Sequence, residues 1–343
     1  MTAANPTLMV DEFLAHALAG DTRLAVGIAM GLVDEGFSAD TIIAELLAPA
    51  QHQIGERWQR NELSIADEHL ATGITDSAVH AVANAYEETG TTGLVVVACA
   101  EGDWHAMAAR MFSEQLRYRQ VVTAFLGAST PSSHLGKFID RHRPEALAIS
   151  CSLPFSFAGV TSLTDVAHSR GVPVIAGGRA LHGAPARALA LGADAWCNDV
   201  DVAVVQLDAW RADPPHVRRE CTPLPSDAIE LDGRAHEVAA TALDTLAIRF
   251  PSMASYDTRQ ISRTREGLAD IVRYVAAAVL VDDPEVLTDY LDWLDVALST
   301  RGFPPTAIAT GLETLTPLTT EICPSSASVA HLGLAHLTAA SRP

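Results

Sequence analysis

The sequence is short of positive charge. Its 23 lysines and arginines stand against 42 aspartates and glutamates, for a formal net charge of −19. So acidic a surface repels phosphate backbones, and a large nucleic-acid footprint is not expected. The one candidate basic patch, Arg218-Arg219, is short and sits in a proline-rich stretch. Cysteine pairs are also missing. The five cysteines are scattered with no Cys-x-x-Cys, so reduced thiols are expected, with Cys99, Cys151 and Cys197 serving as small core residues in or beside strands. Apolar runs such as "GLVVVACA" and "YVAAAVLV" are too short to span a bilayer. The opening "MTAANPTLMVDEF" lacks the basic start and apolar core of a secretory signal. No internal repeat or low-complexity tract interrupts the chain. These absences lead to the expectation of a cytoplasmic protein that binds neither nucleic acid nor membrane.

What is present is enough apolar sequence, 48% of 343 residues, for two or three domains. Residues 8–90 carry apolar side chains at three- and four-residue spacing and read as a four-helix bundle. Gly20 closes the first helix and Asp21 opens the second. Ser38 or Asp40 opens the third, and the fourth begins near Ser64. Over 91–211 the period changes. "GLVVVACA", "QVVTAFLG", "EALAISCSL", "PVIAGG" and "ADAWCN" alternate with helical patterns, as buried parallel strands do. The fold expected is α/β plus all-α. A bundle caps a doubly wound five-stranded parallel sheet, whose ligands would sit beyond the carboxyl ends of the strands. Residues 212–233 read as a proline-rich linker. Residues 234–343 read as five helices at about 235–250, 258–282, 284–300, 304–320 and 325–340.

Three weak signals fall at strand ends: "DWHAMA" at Asp103 to Ala108, Ser150, and Gly177-Gly178. Alone, Asp103 reads as a helix N-cap and His105 as an exposed first-turn residue. Together, at these spacings and behind a helical bundle, they resemble the signature of cobalamin-binding domains, Asp-x-His-x-x-Gly, Ser and Gly-Gly. The resemblance covers residues 8–211. It implies that His105 is the lower ligand of cobalt and that Asp103 fixes its tautomer through the other ring nitrogen. It further implies that Ser150, with Ser152 nearby, contacts the displaced base, while Gly177 and Gly178 let the backbone approach the cofactor's tail. The motif's glycine is Ala108 here, which adds a methyl group where the tail or corrin would pass.

A second constellation lies in the bundle. In "RWQRNELSIADEH", Trp58 is followed after nine residues by Glu68-His69. Alone these are a core tryptophan and a solvated pair. In front of such a sheet they resemble the Trp-x9-Glu-His motif of cobalamin photoreceptors of the CarH type. That resemblance implies adenosylcobalamin, with the indole, carboxylate and imidazole around its adenosyl group. Two departures from that resemblance stand out: no DNA-reading domain is expected, and Gln59 occupies the place where those receptors often carry a histidine. His52 or His69 could stand in for it.

The last hundred residues, with "VRYVAAAVLVDDPEVLTDYLDWLDVALSTRGFPP", resemble a globin-like or phycobiliprotein-like domain. Placed after a cobalamin module, this resembles the photocobilin arrangement and implies a bilin, commonly biliverdin. Arg259 and Arg263 would hold its propionates and Tyr274 would line its slot. Haem or no chromophore are the alternatives. The function expected is a light sensor and not an enzyme, signalling as a homo-oligomer or through a partner signalling protein. The rivals are a corrinoid carrier of a methyltransferase system and a light-independent cobalamin sensor.

Overall fold

The computed structural model describes residues 5–86, 92–220, 222–304 and 306–340. Helices α1 (Val10–Leu18) and α2 (Thr22–Asp34) are separated by Gly20, whose φ of +78° suits glycine. The third helical stretch runs as α3 (Ala39–Ile42), a π-helical turn (Ile43–Leu47) and α4 (Ala48–Gln59). Pro49 accounts for the widened turn: it has no N–H for the carbonyl four residues back, and its ring crowds that carbonyl. Of the two candidate caps, Ser38 is the one used. Its Oγ accepts from Thr41 N at 3.0 Å. Asp21 precedes α2 without a capping bond from its side chain. Helix α5 (Ile65–Asn84) opens on a capping box, in which Ser64 Oγ accepts from Asp67 N at 3.2 Å and Asp67 Oδ2 accepts from Ser64 N at 2.9 Å. Phe13, Leu32, Ile43, Leu46 and Ile54 are buried in the bundle core, and each contributes roughly 1.5–3 kcal/mol relative to exposure.

The sheet alternates β1 (Thr92–Cys99), α6 (Met107–Tyr118), β2 (Val121–Gly127), α7 (Ser132–His142), β3 (Ala146–Ser150), α8 (Phe157–His168), β4 (Val174–Gly177), α9 (Pro185–Ala190), β5 (Ala195–Trp196) and α10 (Val200–Ala212). All pairings are parallel, in the order β2-β1-β3-β4-β5. The inner strands are buried along most of their length, which is why they read as continuous apolar runs. The expected 90/91 boundary between bundle and sheet lies outside the described residues.

Two compact units result. One holds the described residues of 1–152, 162–189 and 193–220; the other holds 153–161, 190–192 and the described residues beyond 221. In the second unit, helices α12 (Ala235–Arg249), α13 (Thr258–Leu280), α14 (Glu285–Ser299), α15 (Thr306–Ile322) and α16 (Ser326–Ala340) fall where helical periodicity placed them. The expected linker is corrected over Ser226–Gly233, which forms helix α11 with Ala228 and Leu231 buried. Two core residues in eight are too few to reveal a helix by pattern, and tertiary packing stabilises it instead.

Candidate functional site

From β1 the chain goes to one side, to β2, and from β3 it goes to the other, to β4. Loops after β1 and β3 therefore diverge, leaving a crevice at the carboxyl ends of the strands. The register sets Cys99 opposite Ser150 and Ser150 opposite Gly177, so the expected residues stand level across the sheet.

The loop after β1 is pinned on both sides. Asp103 N donates to Ala100 O at 2.9 Å, Ser129 N donates to Asp103 O at 2.7 Å, and Gly102 N donates to Ser129 Oγ at 3.0 Å. Asp103 is fully buried. Its Oδ1 accepts from His105 N at 2.9 Å and lies 3.0 Å from His105 Nδ1, while its Oδ2 accepts from Ser152 N at 2.5 Å. Asp103 is therefore a loop clamp and not the cap of α6, which begins at Met107 with Ala106 at the cap position and no side-chain capping bond. A carboxylate only accepts, so the proton sits on Nδ1 and the Nε2 lone pair is left open. The His105 side chain is 60% exposed. Its pKa is raised above 6.5, chiefly by the Asp103 hydrogen bond. Burial opposes the shift, the charges of Asp103 and Glu68 add to it, and that of Arg179 opposes it. Glu68 belongs to the cap, so cap and histidine are within electrostatic reach.

Beside this loop lies a cavity of about 130 Å³ whose lining includes Ala108, Phe112, Ser150, Gly177, Gly178, Cys197, Asn198 and Asp199. Four of the residues singled out in the sequence thus meet in one slot, and Ala108 is part of its wall. The glycines have a second reason to be glycine. A Cβ on Gly177 would stand 2.5 Å from Cys197 O, and one on Gly178, at φ +103°, 2.5 Å from Cys151 O. Phe112, Asn198 and Asp199 were missed. Phe112 shares the Ala108 face of α6 by i,i+4 spacing, and the other two follow the end of β5, so both signals were in the sequence. Burial pushes the Cys99 and Cys197 thiols up to about 12, which makes them packing residues and not nucleophiles.

On the cap, Trp58 is half-buried in the last turn of α4, and Glu68 and His69 stand in the first turns of α5. Glu68 is no solvated carboxylate. It is 20% exposed, lies 2.5 Å from His69 Nδ1 through Oε2 and accepts from Thr72 Oγ1 at 2.9 Å. His69 is exposed, and His52 pairs with Glu56 at 3.2 Å. Among the described residues no three His, Cys, Asp or Glu side chains cluster as a protein-only metal site. A lone open imidazole fits a metal ion that arrives already held in a macrocycle.

The second unit does not bring its three candidates together. Arg259 and Arg263 are exposed near the start of α13, and Tyr274 lies about 16–22 Å further along the helix at ~1.5 Å per residue. Tyr274 is buried, stacked on Tyr290 with ring centroids 3.8 Å apart and edge-on to Phe155 at 6.1 Å.

Two family models, each described as a B12 binding domain, match residues 9–82 and 93–207. The HTH-type transcriptional repressor CarH of Myxococcus xanthus is 30% identical over 139 residues, 40% of this chain and 46% of that protein, so the match spans about half the relative's length. The monomethylamine corrinoid protein of Methanosarcina barkeri covers 60% of this chain and all of its own, at 17% identity and a TM-score of 0.50, which speaks to fold alone. A cobalamin-binding protein from Desulfitobacterium hafniense DCB-2 aligns over 59% of this chain and 98% of its own at 18% identity, with a TM-score of 0.33. The family matches support a cobalamin cofactor held by a helical cap and an α/β domain.

Proposed function

We propose that this chain, which carries B12 binding domains over residues 9–82 and 93–207, is an adenosylcobalamin-dependent light sensor. One observation carries the reading: Trp58, Glu68 and His69 stand on cap helices in the same unit as His105, and the Glu68 charge reaches the His105 ring. When bound, this cofactor supplies a cobalt–carbon bond that light breaks. His105 Nε2 would ligate the lower face of cobalt, with Asp103 holding the ring and its Nδ1 proton. Ala108, Ser150, Gly177 and Gly178 border the slot for the displaced tail, and Ser152 holds Asp103 from behind. On the cap, Trp58 would offer a flat packing surface and Glu68 and His69 would offer hydrogen bonds to a nucleoside. Helices α4 and α5 would hold the upper group through Trp58, Glu68 and His69, and a cap free of those contacts would be able to shift against the sheet, the bistable element a switch requires. The signal would then pass through a homo-oligomer or a partner signalling protein. The partial likeness to a CarH repressor supports the sensor reading, whereas the net charge of −19 speaks against carrying over its DNA binding. A bilin in the second unit has only the helical pattern behind it, because Arg259, Arg263 and Tyr274 do not converge.

The test is a visible spectrum and an elution volume of the chain loaded with adenosylcobalamin, in darkness and after illumination, with and without biliverdin. A cobalamin spectrum and an elution volume that change with light support the sensor. A light-stable cobalamin whose cobalt is methylated by a methyl donor makes the chain a corrinoid carrier, and a light-stable one that resists methylation makes it a passive cobalamin sensor. A red band that appears with biliverdin extends the proposal to a second chromophore, and its absence removes the bilin.

A further inference from the structure

The cap contains a hydrogen-bond relay behind Glu68. Gln51 on α4 lies seven residues before Trp58, two turns along the same face, and Thr72 on α5 lies one turn beyond Glu68. Gln51 Nε2 donates to Thr72 Oγ1 at 2.8 Å, Thr72 Oγ1 donates to Glu68 Oε1 at 2.9 Å, and Glu68 Oε2 lies 2.5 Å from His69 Nδ1. The directions are forced. A carboxylate can only accept, so the single threonine proton goes to Glu68, and the threonine oxygen takes its donor from the amide nitrogen. Turning the amide over would set two oxygens against one proton. In the orientation that remains, Gln51 Oε1 is buried without a partner. Folds seldom tolerate a stranded buried oxygen, and an apolar residue at 51 would avoid it. What the glutamine does supply is its N–H to Thr72.

We propose that Gln51 and Thr72 are positioning residues that make the cap selective for an upper ligand carrying hydroxyl donors, such as a nucleoside, over a simple alkyl group. Through Thr72 they hold Glu68 Oε1, while His69 Nδ1 meets Oε2, so each oxygen has one partner and keeps a second lone pair for the ligand. A carboxylate already held loses little rotamer freedom when a ribose diol docks on it. A methyl group offers no donor and gains nothing from that order. The inference rests on the reading of this cap as the adenosyl side of a cobalamin site, and it names what sets the preference there.

The experiment compares dissociation constants of adenosylcobalamin and methylcobalamin for the full chain in darkness, in the wild type, Thr72→Val, Thr72→Ser and Gln51→Leu. Thr72→Val keeps the shape and removes both relay bonds. It is expected to reduce the preference for the adenosyl form about tenfold while methylcobalamin binding stays within about twofold. Thr72→Ser is expected to restore the preference, and Gln51→Leu to lower it without touching Glu68 directly. Melting of the apoprotein reports whether each variant folds, and Gln51→Leu carries the comparison if Thr72→Val does not. An unchanged preference in the relay variants, or equal loss for both cobalamins, overturns the inference and leaves the light-sensor reading standing. A wild type that shows no preference for the adenosyl form overturns both.

Discussion

Asp103 and His105 work as one unit, and their coupling has a sign. The pair raises the histidine's pKa above 6.5, so the folded state gains from it below that value and loses the gain as pH rises through the raised one. Asp103→Asn removes the anion. NMR titration of the apoprotein is expected to show His105 moving down toward its ordinary value, and urea unfolding is expected to show less fall in stability across that window. The paired glycines make a steric prediction. Gly178→Ala places a methyl group 2.5 Å from Cys151 O at φ +103° and is expected to cost about 3 kcal/mol or more, read as a lowered melting temperature. Ala108→Gly runs the other way. It should cost the helix end ~1 kcal/mol or less and tighten cobalamin binding by clearing the slot wall, which a titration of wild type against variant decides. At this scale His105, Ser150 and the glycines were legible because motif spacing and strand ends coincide. The clamp from Ser152 N to Asp103 was not, since a backbone donor 49 residues away leaves no trace in side-chain identity.

Helix α6 links the site to the cap. It starts beside His105, and its far end is tied to the bundle: Arg119 donates to both oxygens of Asp40 at 2.7 and 3.0 Å, Gln115 reaches Asp40 at 2.8 Å, and Arg117 donates to Ala83 O at 2.9 Å. Arg119 also meets Asp201 of α10 at 2.8 Å. A cap that moves is expected to pivot about this end. Asp40 was a candidate cap for α3, yet its carboxylate serves this tie, and Ser38 does the capping. Because Asp40 and Arg119 are both mostly buried, Asp40→Ala is expected to cost about 1–3 kcal/mol. A double-mutant cycle with Arg119→Ala should show most of that loss shared between them. Element boundaries were legible where polar caps meet apolar periodicity, as at Ser64. They were obscured where few residues face a core, as in α11.

Over the whole molecule the excess of acidic residues opposes compaction. Adding salt to a dilute solution of the apoprotein is expected to raise its melting temperature by screening that repulsion, and a melting temperature indifferent to salt would mean the charges are already locally paired. Among the described residues no helix is long and apolar enough to cross a membrane. By itself the sequence determined the order of elements, the change from helical to strand period after the bundle, and the residue types at the strand ends. These are local properties, written in periodicity, caps and motif spacing. Only the tertiary structure decided that the charge of Glu68 bears on His105, that residues at or beyond the ends of four strands share one slot, that Gln51 and Thr72 stand behind Glu68, and that Tyr274 is taken up by an aromatic stack away from Arg259 and Arg263. Those outcomes depend on strand order, register and helix packing, which are set by burial between segments far apart in the chain and therefore leave no local signature.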